Sequence, residues 1–320
     1  MIYLNAYHEH QGRVLNEVAK HLKKRFIFTA GSTSQAAKYI TVQHSDGGSK
    51  IVKNVDDVHR GDVVVSAFHS RYENDLKRLI DKGVHFGTIS EDLVDIKSLD
   101  AKRCVKYHMF VAGMLEVDYA GFGVIPPTWH LTGNPRYDAA FNTIRTPKPG
   151  RVMIFDTFTI HYDKSYPRDK SQAVERYKRW WRIIKILEPR EILVSSHPRA
   201  SRFTKVQNVF NRIAYPKVGI DFPENLIKDV DFALVASSIS TFLTCLCARV
   251  PTLFWSTEKR AHTAIPEKWF LRDERHLVDF TTHLDTYLAE QQAWVAKKIV
   301  LDGHSAERIA NVLMELDENG

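Results

Sequence analysis

The stretch Asp231–Ser256, DFALVASSISTFLTCLCARVPTLFWS, decides the fold. Its first apolar run, in DFALVAS, reads as a buried strand. Ser237-Ser238 then stand at the mouth of an apolar helix, and Val250-Pro251 lead into a second buried strand in PTLFWS. Strand, helix and strand in succession predict a βαβ unit in a mostly parallel sheet. Two hydroxyls beside the unpaired N–H groups of a helix start make a seat for a phosphate. A second turn of this kind lies upstream, where EILVSS (Glu191–Ser196) runs into His197-Pro198-Arg199. Proline fits the first helical turn without losing a hydrogen bond. Histidine can donate to phosphate oxygens, and arginine can do so with two prongs. A capped helix with a solvated arginine is the plain alternative, as is simple capping by Ser237 or Ser238. Both turns fall on one expected sheet, and ligands gather at the carboxyl ends of parallel strands.

Outward from these turns the alternation continues. IYLNAY, FIFTA, GDVVVSAF and GVHFGTIS read as strands in the first half, with NEVAKHLKK and YENDLKRLIDK as helices between them. The span from Gly31 to Gly61 is less regular. RTPKPG, ending at Gly150, marks a crossing between domains, because proline resists pairing and glycine permits unusual backbone angles. RVMIFDTF restarts the pattern. LDTYLAEQQAWVAKKIVLDG and SAERIANVLMELDE read as closing helices. The expected architecture is α/β, with two Rossmann-like domains facing across a cleft: residues 1–146 on the acceptor side, 147–285 on the donor side, and C-terminal helices over 286–320.

At 320 residues, two domains are expected. No run of eighteen apolar residues occurs, and the N-terminal text lacks the apolar stretch of a signal peptide. Cys104, Cys245 and Cys247 read as buried thiols. A cytoplasmic location is expected, with peripheral contact at the inner membrane face as a variant. The net charge of +7 and pI near 9.1 favour anionic partners: nucleotides, acidic polymers, DNA or a membrane surface. Basic residues cluster at Arg176, Lys178, Arg179, Arg182 and Lys185, where Trp180, Ile184 and Leu187 share a stripe. That cluster is either a solvated helix face or a surface for an acceptor or lipid headgroup.

Three pieces of text carry a family resemblance: SSHPR at Ser195–Arg199, DFALVASSIS followed by ARVPTLFW, and LTGNPRYD at Leu131–Asp138. Over residues 125–257 the chain resembles bacterial glycosyltransferase-like proteins of the two-lobed GT-B fold. It is most similar to CDP-glycerol glycerophosphotransferases and to sialyl- and polysialyltransferases with an HP motif and a serine pair. LTGNPRYD is also similar to text of the UDP-sugar 2-epimerases. The resemblance implies that His197, Ser237 and Ser238 contact the phosphates of a nucleotide-activated donor; Arg199 is added on its own chemistry. Two departures stand out. Ser45-Asp46-Gly47-Gly48 only partly echoes the acidic motif of sialyltransferases, and the WHG text of many glycerophosphotransferases is missing.

The proton-accepting role falls to histidines after predicted strands: His8 or His10 in YHEH, or His69 in SAFHSRYEND with Glu73 or Asp75 as helpers. Each has a structural alternative as a loop residue. HEH has no completing set of ligands, so no metal site is expected. Arg136 either holds Asp138 or lines the cleft. Thr157 after Asp156, and Glu267 in HTAIPE, are candidates for donor contacts. Neither a phosphate-binding GxxxxGK loop nor a dinucleotide GxGxxG is present, which disfavours ATP hydrolysis and NAD chemistry. The expected activity is metal-independent transfer of a glycosyl or polyol-phosphate group to an acceptor hydroxyl, with no obligatory cofactor. Alternatives are a DNA-modifying glycosyltransferase, a UDP-sugar 2-epimerase, and a non-catalytic nucleic-acid-binding or scaffold protein of the same fold.

Overall fold

In the computed structural model, the described residues are 1–6, 9–30, 58–67, 79, 81–90, 106–113, 128–156, 182–183, 185–187, 190–196, 223–236, 239–255 and 265–319. The chain divides into two compact units, Met1–Ala139 with Lys298–Gly320, and Ala140–Lys297. Each holds a wholly parallel sheet flanked by helices, the architecture of two Rossmann-like domains with helices closing the chain.

The first unit carries β1 (Ile2–Ala6), β2 (Phe26–Ala30), β3 (Val63–Ala67), β4 (His85–Ile89), β5 (Tyr107–Val111) and β6 (Thr128–Leu131), in the order β2-β1-β3-β4-β5-β6. Strands β5 and β6 were not picked out in the sequence. β5 is buried along its whole length, and β6 is only four residues long. Helix α1 (Glu9–Ala19) follows β1 and buries Val14, Leu15 and Val18 against it. The last helix of the chain, named α7 below (Ser305–Asn319), joins the same core through Ala306, Ile309, Ala310 and Leu313. Their spacing puts all four on one helical face.

The join from β6 into α2 (Pro135–Phe141) explains the LTGNPRYD text. Gly133 has φ +80°, and a Cβ there would stand 2.2 Å from Ser305 Oγ and 2.9 Å from the Val300 carbonyl. Only glycine allows that backbone angle and that approach together. Fully buried Asn134 donates to the Ser90 carbonyl at 2.6 Å and accepts the Arg136 N–H at 2.9 Å, capping α2. Pro135 takes the first helical position. Asp138 accepts from the amides of Ser305 at 2.7 Å and Gly303 at 3.3 Å, so its carboxylate sits on the positive end of α7. Arg308 returns from α7 to donate to the Thr132 carbonyl at 2.8 Å, while also gripping both oxygens of Asp302.

The second unit carries β7 (Arg151–Asp156), β8 (Glu191–Ser196), β9 (Phe232–Ala236) and β10 (Thr252–Trp255), in the order β10-β9-β7-β8. A short α3 (Pro223–Leu226) precedes β9. Helix α4 (Ile239–Cys247) links β9 to β10, and all nine of its residues are buried, Cys245 and Cys247 among them. It ends with Arg249 in the left-handed region at φ +60°, while the amides of Arg249 and Val250 donate back to Leu246 and Cys245. That is a Schellman turn with arginine in glycine's usual place. The Arg249 guanidinium stacks over Phe141 at 4.5 Å, and Arg145 donates to the carbonyls of Arg249 and Val230. Pro251 cannot extend the helix, so the chain enters β10.

Three further elements follow: a 3₁₀ turn at Glu267–Trp269, α5 (Glu274–Thr282) capped by Asp273, and α6 (Leu284–Lys298). In the basic segment, Ile183 and Leu187 are buried in this unit's core and Arg182 and Lys185 are exposed. Trp180 and Ile184 lie outside the described residues. Among the described residues, no helix is long and apolar enough to cross a membrane.

Candidate active site

In the sheet of the second unit, three strands that precede sequence-predicted turns end in line. β7 pairs with β8 up to Asp156↔Ser196, and with β9 up to Phe155↔Val235, one residue before Asp156 and Ala236. These strands therefore end in one row. Thr157, His197 and Ser237-Ser238 are the next residues in the chain after the three ends. Two inter-strand spacings separate the ends of β8 and β9, about 9.5 Å, on the scale of a diphosphate. The chain order reverses beside β7, since β8 lies on one side and β9 on the other. Such a reversal is where open parallel sheets bind ligands, outside their carboxyl ends.

The first unit repeats the arrangement. Its order reverses between β1 and β3, whose paired register runs up to Asn5↔Ser66. Tyr7 and His8 follow the end of β1, and His69 follows the end of β3 by two residues. Helix α1 begins at Glu9, so His10 is its second residue, partly buried. The HEH text thus turns helical from Glu9 on and does not run on as a strand.

Of the other candidates, Arg136 is partly buried in the first turn of α2. Glu267 opens the 3₁₀ turn with an exposed side chain, and its carbonyl accepts the Phe270 N–H at 3.0 Å. His8, His69, Thr157, His197, Arg199, Ser237 and Ser238 lie outside the described residues. Among the described residues, no group of three or more His, Cys, Asp or Glu side chains is placed to hold a metal ion.

One constellation was missed in the sequence. On the first unit's sheet, His85 Nδ1 lies 3.2 Å from His108 Nε2, and His108 Nδ1 lies 3.1 Å from His130 Nε2. The three rings form a diagonal stair across β4, β5 and β6, with His130 stacked on Phe110 at 5.1 Å. Burial, and then the neighbouring His130 and His85, push His108 down to about 4. His85 is lowered by burial and by Lys106; His130 is lowered by burial against an opposing pull from Glu315. The signal was one histidine in each of three successive apolar runs, VHFGTI, YHMFV and TWHL, visible only once β5 and β6 are known as strands.

No family model matches the chain, and no curated protein matches it. Solved structures do. The UDP-GlcNAc 2-epimerase of Methanocaldococcus jannaschii, solved with UDP-GlcNAc and UDP, matches with a TM-score of 0.66 at 13% identity, covering 98% of this chain and 100% of that one. The wall teichoic acid polymerase TagF matches at 0.54 and 10% identity, over 99% and 89% of the two chains. MurG of Acinetobacter baumannii matches at 0.50 and 12% identity, over 98% and 99%. At such identities the likeness defines the fold, which is GT-B-like.

Proposed function

We propose that this chain is a transferase that moves a glycosyl or polyol-phosphate group from a nucleotide-activated donor to an acceptor hydroxyl. The observation that carries this reading is the common row in which β7, β8 and β9 end, each running straight into a predicted phosphate contact. His197, Arg199, Ser237 and Ser238 would take the donor phosphates, with Thr157 beside them. Charge grows on the leaving phosphate during transfer, and one well-placed donor there is worth about 2–4 kcal/mol. The acceptor oxygen forms the new bond to the transferred group as the bond to the leaving phosphate breaks. The acceptor's proton passes to a histidine of the first unit, His10, His8 or His69. Protein groups neutralise the phosphates in this scheme, so turnover should survive chelation of divalent metal. The net charge of +7 suits an anionic acceptor, with acidic polymers ahead of DNA.

The test is a panel of nucleotides and nucleotide sugars, screened for binding by calorimetry and repeated with His197→Ala. Binding by one nucleotide class, lost in the variant, is expected. No binding to any member, or unchanged affinity in the variant, would sink the proposal. A second reading, a UDP-sugar 2-epimerase, draws on the likeness to the M. jannaschii enzyme. It separates cleanly, because an epimerase inverts its sugar with no acceptor present and a transferase does not.

A further inference from the structure

We infer that the His85–His108–His130 chain is an acid-released latch on β6, the outermost strand of the first unit's described sheet. Strand β6 needs one: it has four residues, none fully buried, and Leu131 is half exposed. Its apolar anchoring rests on Trp129, partly buried against the core that holds Tyr107 and Met109, and the imidazole contact from His108 adds a specific tie.

Counting hydrogens shows why the tie is sensitive to acid. A neutral imidazole carries one N–H and one bare nitrogen. The two contacts use four of the six ring nitrogens, and each contact needs one hydrogen and no more. Two N–H groups facing each other repel, and two bare nitrogens make no bond. The outer nitrogens, His85 Nε2 and His130 Nδ1, hold at most one hydrogen each. The closed chain therefore holds four hydrogens at most, which is three neutral rings plus one proton. Releasing β6 dissolves the His108–His130 contact and raises the limit to five. Opening thus admits an extra proton, and proton uptake pulls the equilibrium toward the open form.

The surroundings act on the two ends in opposite senses. Lys106 disfavours charge on His85, and Glu315, presented by α7, favours it on His130. The central ring, 5% exposed, has both nitrogens committed to its neighbours and gains least from solvent when it charges. The first proton is thus drawn to the β6 end. Beyond β6 lies the Gly133-Asn134 turn into α2, where the first unit passes into the second. The latch acts on the strand that leads to this crossing.

Amide hydrogen exchange on the full chain tests the inference, under conditions where opening is a fast pre-equilibrium and after correction for intrinsic rates. Between pH 6 and 4.5, the opening constant of Thr128–Leu131 should rise by up to about tenfold per pH unit, the limit for one extra proton, while Ile2–Ala6 changes far less. In His130→Gln the side-chain amide can meet His108 Nδ1 as donor or acceptor, so the closed and open forms both hold at most three ring hydrogens. The pH dependence of β6 should then vanish. Should that variant not fold, His130→Leu removes the contact altogether, so opening again changes no proton count and the same expectation holds. Exchange of β6 that ignores pH in the wild type, or an unchanged slope in the variant that folds, would overturn the latch.

Discussion

Gln291 holds Thr252 as a neighbouring strand would. Its Oε1 accepts the Thr252 N–H at 3.1 Å, and its Nε2 donates to the Thr252 carbonyl at 2.6 Å. β10 ends the order of the second sheet, so one helical side chain supplies the pair of bonds that a further strand would make. Both partners are fully buried. Gln291→Leu should leave a donor and an acceptor unpaired away from water, at about 1–3 kcal/mol each. A loss of about 2–5 kcal/mol in urea unfolding is expected. A loss below 1 kcal/mol would mean that other groups satisfy Thr252.

Gly133→Ala should be among the most damaging small substitutions. The new methyl meets Ser305 Oγ and the Val300 carbonyl, and the residue must hold φ +80°. Left-handed backbone costs about 1–2 kcal/mol for alanine, and overpacking costs about 1–3 kcal/mol more. Adding Ser305→Gly removes the nearer clash and should restore part of the loss, which a double-mutant cycle will measure.

Stability should fall with acid in two separate windows. His108 takes its proton near 4 when folded and near the ordinary 6.5 when unfolded. Its contribution is intact above pH 6.5, is lost progressively from 6.5 to 4, and is level below. His85 and His130 shift the same way. Asp302 is also lowered, but by stabilisation of its charged form: the hydrogen bonds from Arg308 hold it down to about 2, so its contribution is lost only between pH 3.8 and 2. Urea midpoints across pH 7 to 4.5 should decline in the wild type and decline less steeply in His108→Gln, where His85 and His130 still titrate. A flat wild-type profile would contradict the buried neutral state of His108.

For the proton acceptor, turnover of His10→Ala, His8→Ala and His69→Ala should be compared once a donor is known. One of the three should lose at least about a hundredfold in rate, the usual scale of general-base catalysis. Wild-type rates in all three would place the base elsewhere.

The alternation of apolar runs made most of the fold legible. Every strand of the second sheet was marked by a run such as VMIF or FALVA between turn residues, because parallel strands are buried on both faces. β5 and β6 escaped because their polar members, His108, Thr128 and His130, interrupt the run. Their imidazoles satisfy one another, which makes burial of polar rings tolerable. The family text TGNPR was visible, but its job was not. Asn134 and Asp138 bind Ser90 and Ser305, 44 and 167 positions away in sequence, and no local pattern reports partners at that range. Candidate residues could be ranked by the strand ends they follow, and the structure describes those ends for β7, β8 and β9.

The placement of α7 has a consequence for how the chain is made. Ile309, Ala310 and Leu313 complete a core begun by Ile2, Leu4 and Val63. Synthesis normally lets an N-terminal domain fold while the rest is still being translated. Here residues 305–313 must be made before strands β1 and β3 receive that cover, so a nascent chain stopped at residue 297 would display an uncovered greasy surface and be a natural client for chaperones.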